Sequence, residues 1–530
     1  MEKTIFFIVI AVYMIAGIIV TRFVKNKDDF YVMGEKGSTV LIVGTLAATY
    51  LSAVTLLGLS GMIYNEGPVA HAGFGSYGAW LGTLFAVLYI GRKLKALDCQ
   101  TLPDFFEKRF QNKWVTIIAT SIMIIGLLGY GVVQLIGAGV VLSEILNISF
   151  PVLILLFTAA LLLFSAMGGM YGVVITDTLM FFTMLAIAIF ISPLIIGEAG
   201  LDQIKNLGQV VPNYYGFTGA AERPFGWIFS QFLMWILFFG CTPSLVSRVF
   251  PAKNDFVILK TAVIGVFFAP FMQLMVFIAA TAMMVLQPGI EPADRVFIVG
   301  MMDYTPPALA GIGLAGLMAS IMSTASTLFV LTGFALAKDL FENVLHKDFD
   351  EKKSMLIGRG AQVFVAVLVC IIAILQPSSI FWISIYAGSI FAVAWMPTII
   401  GSLEWKRMSS KAATASMIAG IVTFIVFGEL KRFEVVTFPA GFDNFYLAII
   451  VSVLTLLTVG FMVKPTEYEL SYYQKIKKTK LSVTTIQKIL AKHNGAAELK
   501  REYRQTLTIA VSFIAISVVL WGYFIVKLGM

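Results

Sequence analysis

Five hydroxyls crowd the middle of an otherwise apolar stretch: ASIMSTASTLFVLTG (319–333) carries Ser320, Ser323, Thr324, Ser326 and Thr327. Positions 320, 323, 324 and 327 fall on one face of a helix, at spacings of three and four. Such a face offers ligation by uncharged oxygen. Ser323 and Thr324 can turn their hydroxyls toward a neighbour, and Ser320 can lend its carbonyl where its own hydrogen bond is loosened. A small hard cation takes about five or six oxygens, and neutral ones suffice when it must leave again. From spacing alone a second reading is the stronger: Ser and Thr in membrane helices bond back to the carbonyl four residues earlier and simply aid packing.

A cation site of this kind needs a second element with free carbonyls. The stretch VGTLAATYLSAVTLLGLSG (43–61) breaks its apolar run with small and hydroxyl residues, and carbonyls near Ala48–Leu51 become available if the helix is interrupted there. A matching stretch, FFGCTPSLVSRVF (238–250), is weakened by Gly240 and Pro243. Non-helical backbone at membrane depth is tolerated only where protein buries it or it lines a cavity. Taken singly, either interruption fits close helix packing; as a matched pair, they point to a transport site.

The whole chain is built to hold these elements in a bilayer. Of its 530 residues 59% are hydrophobic and 13% charged, against about 25% charged in a soluble domain. Apolar windows long enough to span fall near 4–23, 39–63, 73–91, 114–146, 150–169, 174–197, 225–247, 257–286, 306–336, 357–376, 379–403, 411–428, 444–463 and 505–526. The expectation is an all-α membrane protein of fourteen transmembrane helices. With both termini outside, every Lys and Arg except Lys3, Lys205, Arg223, Arg295, Lys431, Arg432 and Lys527 lies on the cytoplasmic side. The net charge of +8 therefore reads as membrane orientation, with the bilayer as partner and no nucleic acid. The first apolar stretch lacks a basic leader and a small-residue cleavage site and reads as a retained helix. The interrupted helices open two blocks of five, 39–197 and 225–403, whose third helices are both unusually long. That symmetry predicts a five-plus-five inverted-repeat core over 39–403. Residues 1–38 and 404–530 are then peripheral, and the basic cytoplasmic segment 464–504 reads as touching anionic headgroups.

Other chemistries lack a seat. Cys99, Cys241 and Cys370 show no pairing or metal spacing. His71, His346 and His493 lie far apart and near loops, so acid–base or metal catalysis is not expected. No carboxylate accompanies the hydroxyl cluster to carry a proton in place of a metal cation. Asp28, Asp29, Asp104, Glu107 and Asp177 are expected at cytoplasmic helix ends, capping or pairing with Lys108, Arg109 or Arg248.

Four motifs stand in order on the predicted sides: KNKDDFYVMGEK (25–36), LPDFFEKRF (102–110), MGGMYGVVITDTLMFF (167–182) and the hydroxyl helix itself. In these the chain resembles the sodium/solute symporter family from about residue 5 to 460. The resemblance implies a LeuT-like ten-helix core, alternating access and Na⁺-driven uptake into the cell across the plasma membrane, with no cofactor beyond Na⁺. It implies Na⁺ ligation by the carbonyls of Ala48, Leu51 and Ser320 and the hydroxyls of Ser323 and Thr324. Relatives often have Ala at 320, which a carbonyl ligand tolerates. It places Tyr50, Tyr130, Trp235, Phe239 and Pro243 around the substrate; Ser52 and Gln134, the latter one turn beyond Tyr130, are expected to join them as polar groups, and Asp177 is expected on an inner path for Na⁺ release. Tyr50 stands where the family's proline carriers have an acidic residue. With no acid there, and no dense Asn/Gln/Glu set for a sugar, the expected substrate is a small monocarboxylate or a pantothenate-like acid. An amino acid or sugar symporter is the alternative, and a non-transporting membrane sensor is a remoter one.

Overall fold

The computed structural model describes residues 1–146, 148–344, 350–375, 379–439, 441–479, 487 and 489–528. His346 and part of the basic segment 464–504 lie outside the described residues. The chain is all-helical. Among the described residues, nine helices are long and apolar enough to cross a membrane, or eleven if each of two bent pairs is one span. Of the other expected spans, 150–169 opens on a shorter apolar helix, Phe150–Leu163. The stretch near 73–91 is a helix interrupted by π-turns, and 505–526 falls within the helix Gly495–Leu528.

The helices used below are α1 (Glu2–Val20), α2 (Thr39–Tyr50), α3 (Val54–Glu66), α4 (Tyr77–Phe85), α5 (Leu102–Phe110), α6 (Lys113–Ile145) and α7 (Phe150–Ala186). They continue with α8 (Phe225–Cys241), α9 (Pro243–Val249), α10 (Asp255–Leu286), α11 (Pro307–Phe334), α12 (Glu351–Ile374) and α13 (Ile380–Glu404). The set ends with α14 (Ser410–Arg432), α15 (Asn444–Met462) and α16 (Gly495–Leu528).

α11 is the axis of the molecule. Every residue from Gly313 to Phe334 is buried, enclosed by α1, α6, α7 and α12. Its hydroxyls therefore face protein and not lipid. α2 and α8 also lie inside, against α7 and α10 and against α4 and α13 respectively. α1 lies outside on α7 and α11, α14 and α15 pair beside α13, and α16 lies on α10.

Both predicted interruptions are real bends. α2 and α3 meet at 50°, α8 and α9 at 45°. At the first, Leu51 is extended (φ −83°, ψ 126°). The helical bond series stops with Leu51 N–H to the Ala47 carbonyl at 3.1 Å. The next donors go elsewhere: Ala53 N–H to Gln134 Oε1 (3.3 Å), Val54 N–H to Ser52 Oγ (3.2 Å), and Thr55 N–H to the Ser52 carbonyl (3.1 Å). The carbonyls of Thr49, Tyr50 and Leu51 thereby lose their helical donors. At the second bend Pro243 has no N–H for the Phe239 carbonyl and forces Thr242 into an extended conformation (ψ 131°). A third break falls inside α7 at Gly169 (φ 52°, ψ −150°), where a Cβ would sit 2.6 Å from the Phe30 carbonyl oxygen. It separates the expected spans 150–169 and 174–197.

The close approach of α4 and α8 depends on glycine. A Cβ on Gly82 of α4 would lie 2.5 Å from the Ile236 carbonyl oxygen and 2.9 Å from Gly240 N on α8. The glycine lets α4 pack backbone to backbone against α8 just before its bend.

Candidate functional site

On α11 the hydroxyls mostly bond back along their own helix. Ser320 Oγ donates to the Leu317 carbonyl (2.7 Å), Thr324 to Ser320 (3.0 Å), and Ser326 and Thr327 to Ser323 (3.0 and 2.8 Å). Each donation uses the hydroxyl proton and leaves the oxygen able to accept. Ser323 differs. Its Oγ is fully buried and has no partner, a state that buried polar atoms rarely keep without a reason. It sits beside Asp177, which corrects the expectation that no carboxylate accompanies the hydroxyl cluster, and Asp177 Oδ1 is likewise unpartnered.

α2 and α11 pack directly against each other, and a buried polar network ties them below the first bend. Arg248 on α9 is completely buried. Its Nε donates to Thr49 Oγ1 on α2 (2.8 Å), and its Nη2 bonds Thr327 on α11 and lies 3.1 Å from Asp177 Oδ2. Thr45 on α2 donates to the same Asp177 oxygen at 2.7 Å. One guanidinium thus joins α2, α7 and α11. Asp177 stands two turns past the Gly169 break, well inside a span, which corrects its expected place at a helix end. The pairing with Arg248 was among those anticipated. Arg109 instead donates to the carbonyls of Ser402, Glu469 and Met408, and burial lowers its pKa to about 10.

A small cavity lies beside the first bend. Tyr130 of α6, Trp235 and Phe239 of α8, Thr55 of α3, Gln273 of α10 and Ser76, just before α4, line it, and among the described residues none of its lining is charged. About 10 Å³ of it can hold the centre of a water molecule, room for roughly one. Of the predicted substrate residues, Tyr130, Trp235 and Phe239 form its wall. Three others support that wall without lining the cavity. Tyr50 packs its ring 5.4 Å from Phe239 and donates to Gln273 Oε1 at 3.1 Å. Ser52 Oγ lies 3.3 Å from Tyr130 Oη, and Gln134 holds the bend through Ala53 N–H. Pro243 lies apart from the cavity, at the start of α9. Ser76 Oγ and Gln134 Nε2 are buried without partners.

Sequence reasoning missed three contributors. Gln273 accepts from both Tyr50 and Trp80 Nε1 (2.5 Å); an amide inside FFAPFMQLMVF was a visible signal. Thr55 lay in the interrupted stretch 43–61, read for its carbonyls, and Ser76 in a stretch read as plain span. A fourth feature corrects the picture of isolated histidines. On the other side of the bend from Arg248, Glu66 at the end of α3 accepts two bonds from Arg223 (2.7 and 3.0 Å) and one from His71 Nε2 (3.0 Å). His71 is buried between Trp227 and Phe381.

The model of the sodium:solute symporter family matches residues 30–420. A sodium/pantothenate symporter of Haemophilus influenzae is 26% identical over 507 residues, covering 90% of this chain and 98% of the relative. A sodium/proline symporter of the same organism is 24% identical, covering 88% and 95%. Among solved structures, a substrate-bound, outward-open Na⁺-coupled sialic acid symporter superposes with a TM-score of 0.70 at 15% identity, covering 87% of this chain and 96% of that one. The nucleobase-cation-symport-1 transporter MHP1, in a closed conformation, superposes with a TM-score of 0.53 at 12% identity, covering 84% and 97%. The fold is therefore that of LeuT-like transporters. With two broken helices facing a continuous hydroxyl-bearing one, and with a family match across most of its length, the chain belongs to the sodium:solute symporter family: a multi-pass membrane protein that couples Na⁺ to the movement of a small solute, and not an enzyme.

Proposed function

We propose that this symporter imports a small organic acid, a monocarboxylate or a pantothenate-like acid, in the cavity lined by Tyr130, Trp235 and Phe239. The carrying observation is that this cavity, beside the broken α2–α3, has aromatic, hydroxyl and amide walls and, among the described residues, no charged one. An amino acid's ammonium would be left there without a carboxylate partner, which is costly in a buried site. A carboxylate can be met by neutral donors, and Ser76 Oγ and Gln134 Nε2 are buried without partners close by. The sodium/pantothenate relative favours the larger of the two acids.

Na⁺ binds the carbonyls of Ala48, Leu51 and Ser320 and the hydroxyls of Ser323 and Thr324, with no other cofactor. The diverted donors at the bend and the orphaned Ser323 oxygen support this set. Na⁺ can assist only by raising affinity for the solute, and the solute must raise affinity for Na⁺ by the same factor. The core is a five-plus-five inverted repeat over 39–403 within fourteen spans, both termini outside, with 1–38 and 404–530 peripheral. The Glu66–Arg223–His71 cluster then closes the outer side and the Arg248 network the inner side. Asp177 lies on the inner path, where loss of the Arg248 contacts would open a way for Na⁺.

The test is a thermal-shift screen of purified protein against carboxylates, amino acids and sugars, with and without Na⁺. A ligand that binds the folded state raises its apparent stability by mass action. A Na⁺-dependent shift with an organic acid is expected; a shift confined to amino acids or sugars would overturn the substrate assignment.

A further inference from the structure

A second cavity lies across Tyr50 from the first. It has about 210 Å³ of room between α2, α4 and α10. Tyr50, Trp80, Ala262 and Gly265 are among its walls, and no lining residue is charged. Tyr77 and Leu81 also line it and are 45% and 47% exposed on the outer surface. Gly265 and Ala269, both half-buried in its wall, lie near the middle of α10, a 32-residue span, so the mouth opens at hydrocarbon depth. Water has no polar partners to gain there, and the material at the mouth is lipid tail.

Two wall residues reach through to the first cavity. Tyr50 and Trp80 both donate to Gln273 Oε1, at 3.1 and 2.5 Å, and Gln273 lines that cavity. A residue in the wall of the first cavity is thus bonded to two in the wall of the second.

We propose that this crevice binds one acyl chain of a bilayer lipid, and that the chain, by supporting Tyr50 and Trp80, holds Gln273 in the wall of the small cavity. The link to transport rests on reading that cavity as the substrate site; occupation of the crevice does not.

Occupation is read by fluorescence in nanodiscs of phosphatidylcholine with brominated acyl chains, without Na⁺ or solute. The emission of Trp80, taken as the difference between wild type and Trp80→Phe, should be quenched relative to unbrominated lipid. Gly265→Leu should remove that quenching by filling the crevice, since a Cβ at 265 has no neighbour nearer than Leu46 Cδ2 at 3.6 Å. Ala262→Leu makes the same test from another position if the first variant does not fold. Trp80 emission that is equal in the two lipids, or quenching that survives both variants, overturns the site. For the coupling, solute-induced thermal stabilisation should depend on added phospholipid in wild type and lose that dependence in the filled variant. Equal dependence in both would reject the coupling while leaving occupation to the fluorescence result.

Discussion

Consider removing the charge at Arg248. Its guanidinium is fully buried, 3.1 Å from Asp177, and also donates to Thr49 and bonds Thr327. Arg248→Met leaves the Asp177 carboxylate buried with Thr45 as its remaining hydrogen-bond donor. Removing one partner of a buried pair costs about 3–5 kcal/mol, because the survivor keeps its desolvation penalty without its counter-charge. Asp177→Asn should cost a similar amount by stranding the cation. The double variant strands neither, so it should cost less than the sum of the singles by about 1–3 kcal/mol, the range found for residues in direct contact. Reversible denaturant unfolding in mixed micelles, monitored by tryptophan emission, gives all three values. Strictly additive losses, or single losses below about 1 kcal/mol as for an exposed pair, would refute the idea that this pair locks α2, α7 and α11 together.

Three further outcomes follow from the geometry. Trp235→Ala, which opens the cavity wall, should weaken solute binding more than Na⁺ binding in calorimetric titrations; equal losses in both would remove it from the pocket. Glu66→Gln weakens the acceptor shared by Arg223 and His71, so a Ser76→Cys thiol in the cavity wall should react faster with an external reagent in that background. An unchanged rate would dismiss the outer closure. Gly82→Ala places a methyl 2.5 Å from the Ile236 carbonyl and should destabilise by about 1–3 kcal/mol, as overpacking does; a neutral thermal unfolding curve would contradict the close α4–α8 contact.

The bends were legible because their causes are local. Pro243 lacks a donor wherever it stands, and the run of small and hydroxyl residues around Ala48–Ser52 is visible in the letters. The shared face of 320, 323, 324 and 327 followed from helical period alone. What could not be read were partners set by tertiary folding. Arg248 was one of three cations expected beside the acids, but that it meets Asp177 deep inside a span, 71 positions away, is set by the crossing of α7 and α9. Glu66, His71 and Arg223 looked like separate loop residues because nothing in their spacing predicts that a turn beyond α3 and the approach to α8 meet. Pro243, expected beside the substrate, does not line the small cavity; it stands at the second bend, where it ends α8. Gln273 needed attention to one polar letter in an apolar run, since an amide at that depth must find partners.

The central claim is that Na⁺ is held jointly by the bend at Ala48–Leu51 and the hydroxyl face of α11. Initial rates of solute uptake into proteoliposomes, measured against external Na⁺ for wild type, Ser323→Ala with Thr324→Ala, and Thr332→Ala as a control about two turns beyond the site, test it most directly. Two lost oxygen ligands at about 1.5 kcal/mol or more each should raise the Na⁺ concentration for half-maximal uptake by about a hundredfold, with the control unchanged. The same Na⁺ dependence in the double variant as in wild type would contradict the account.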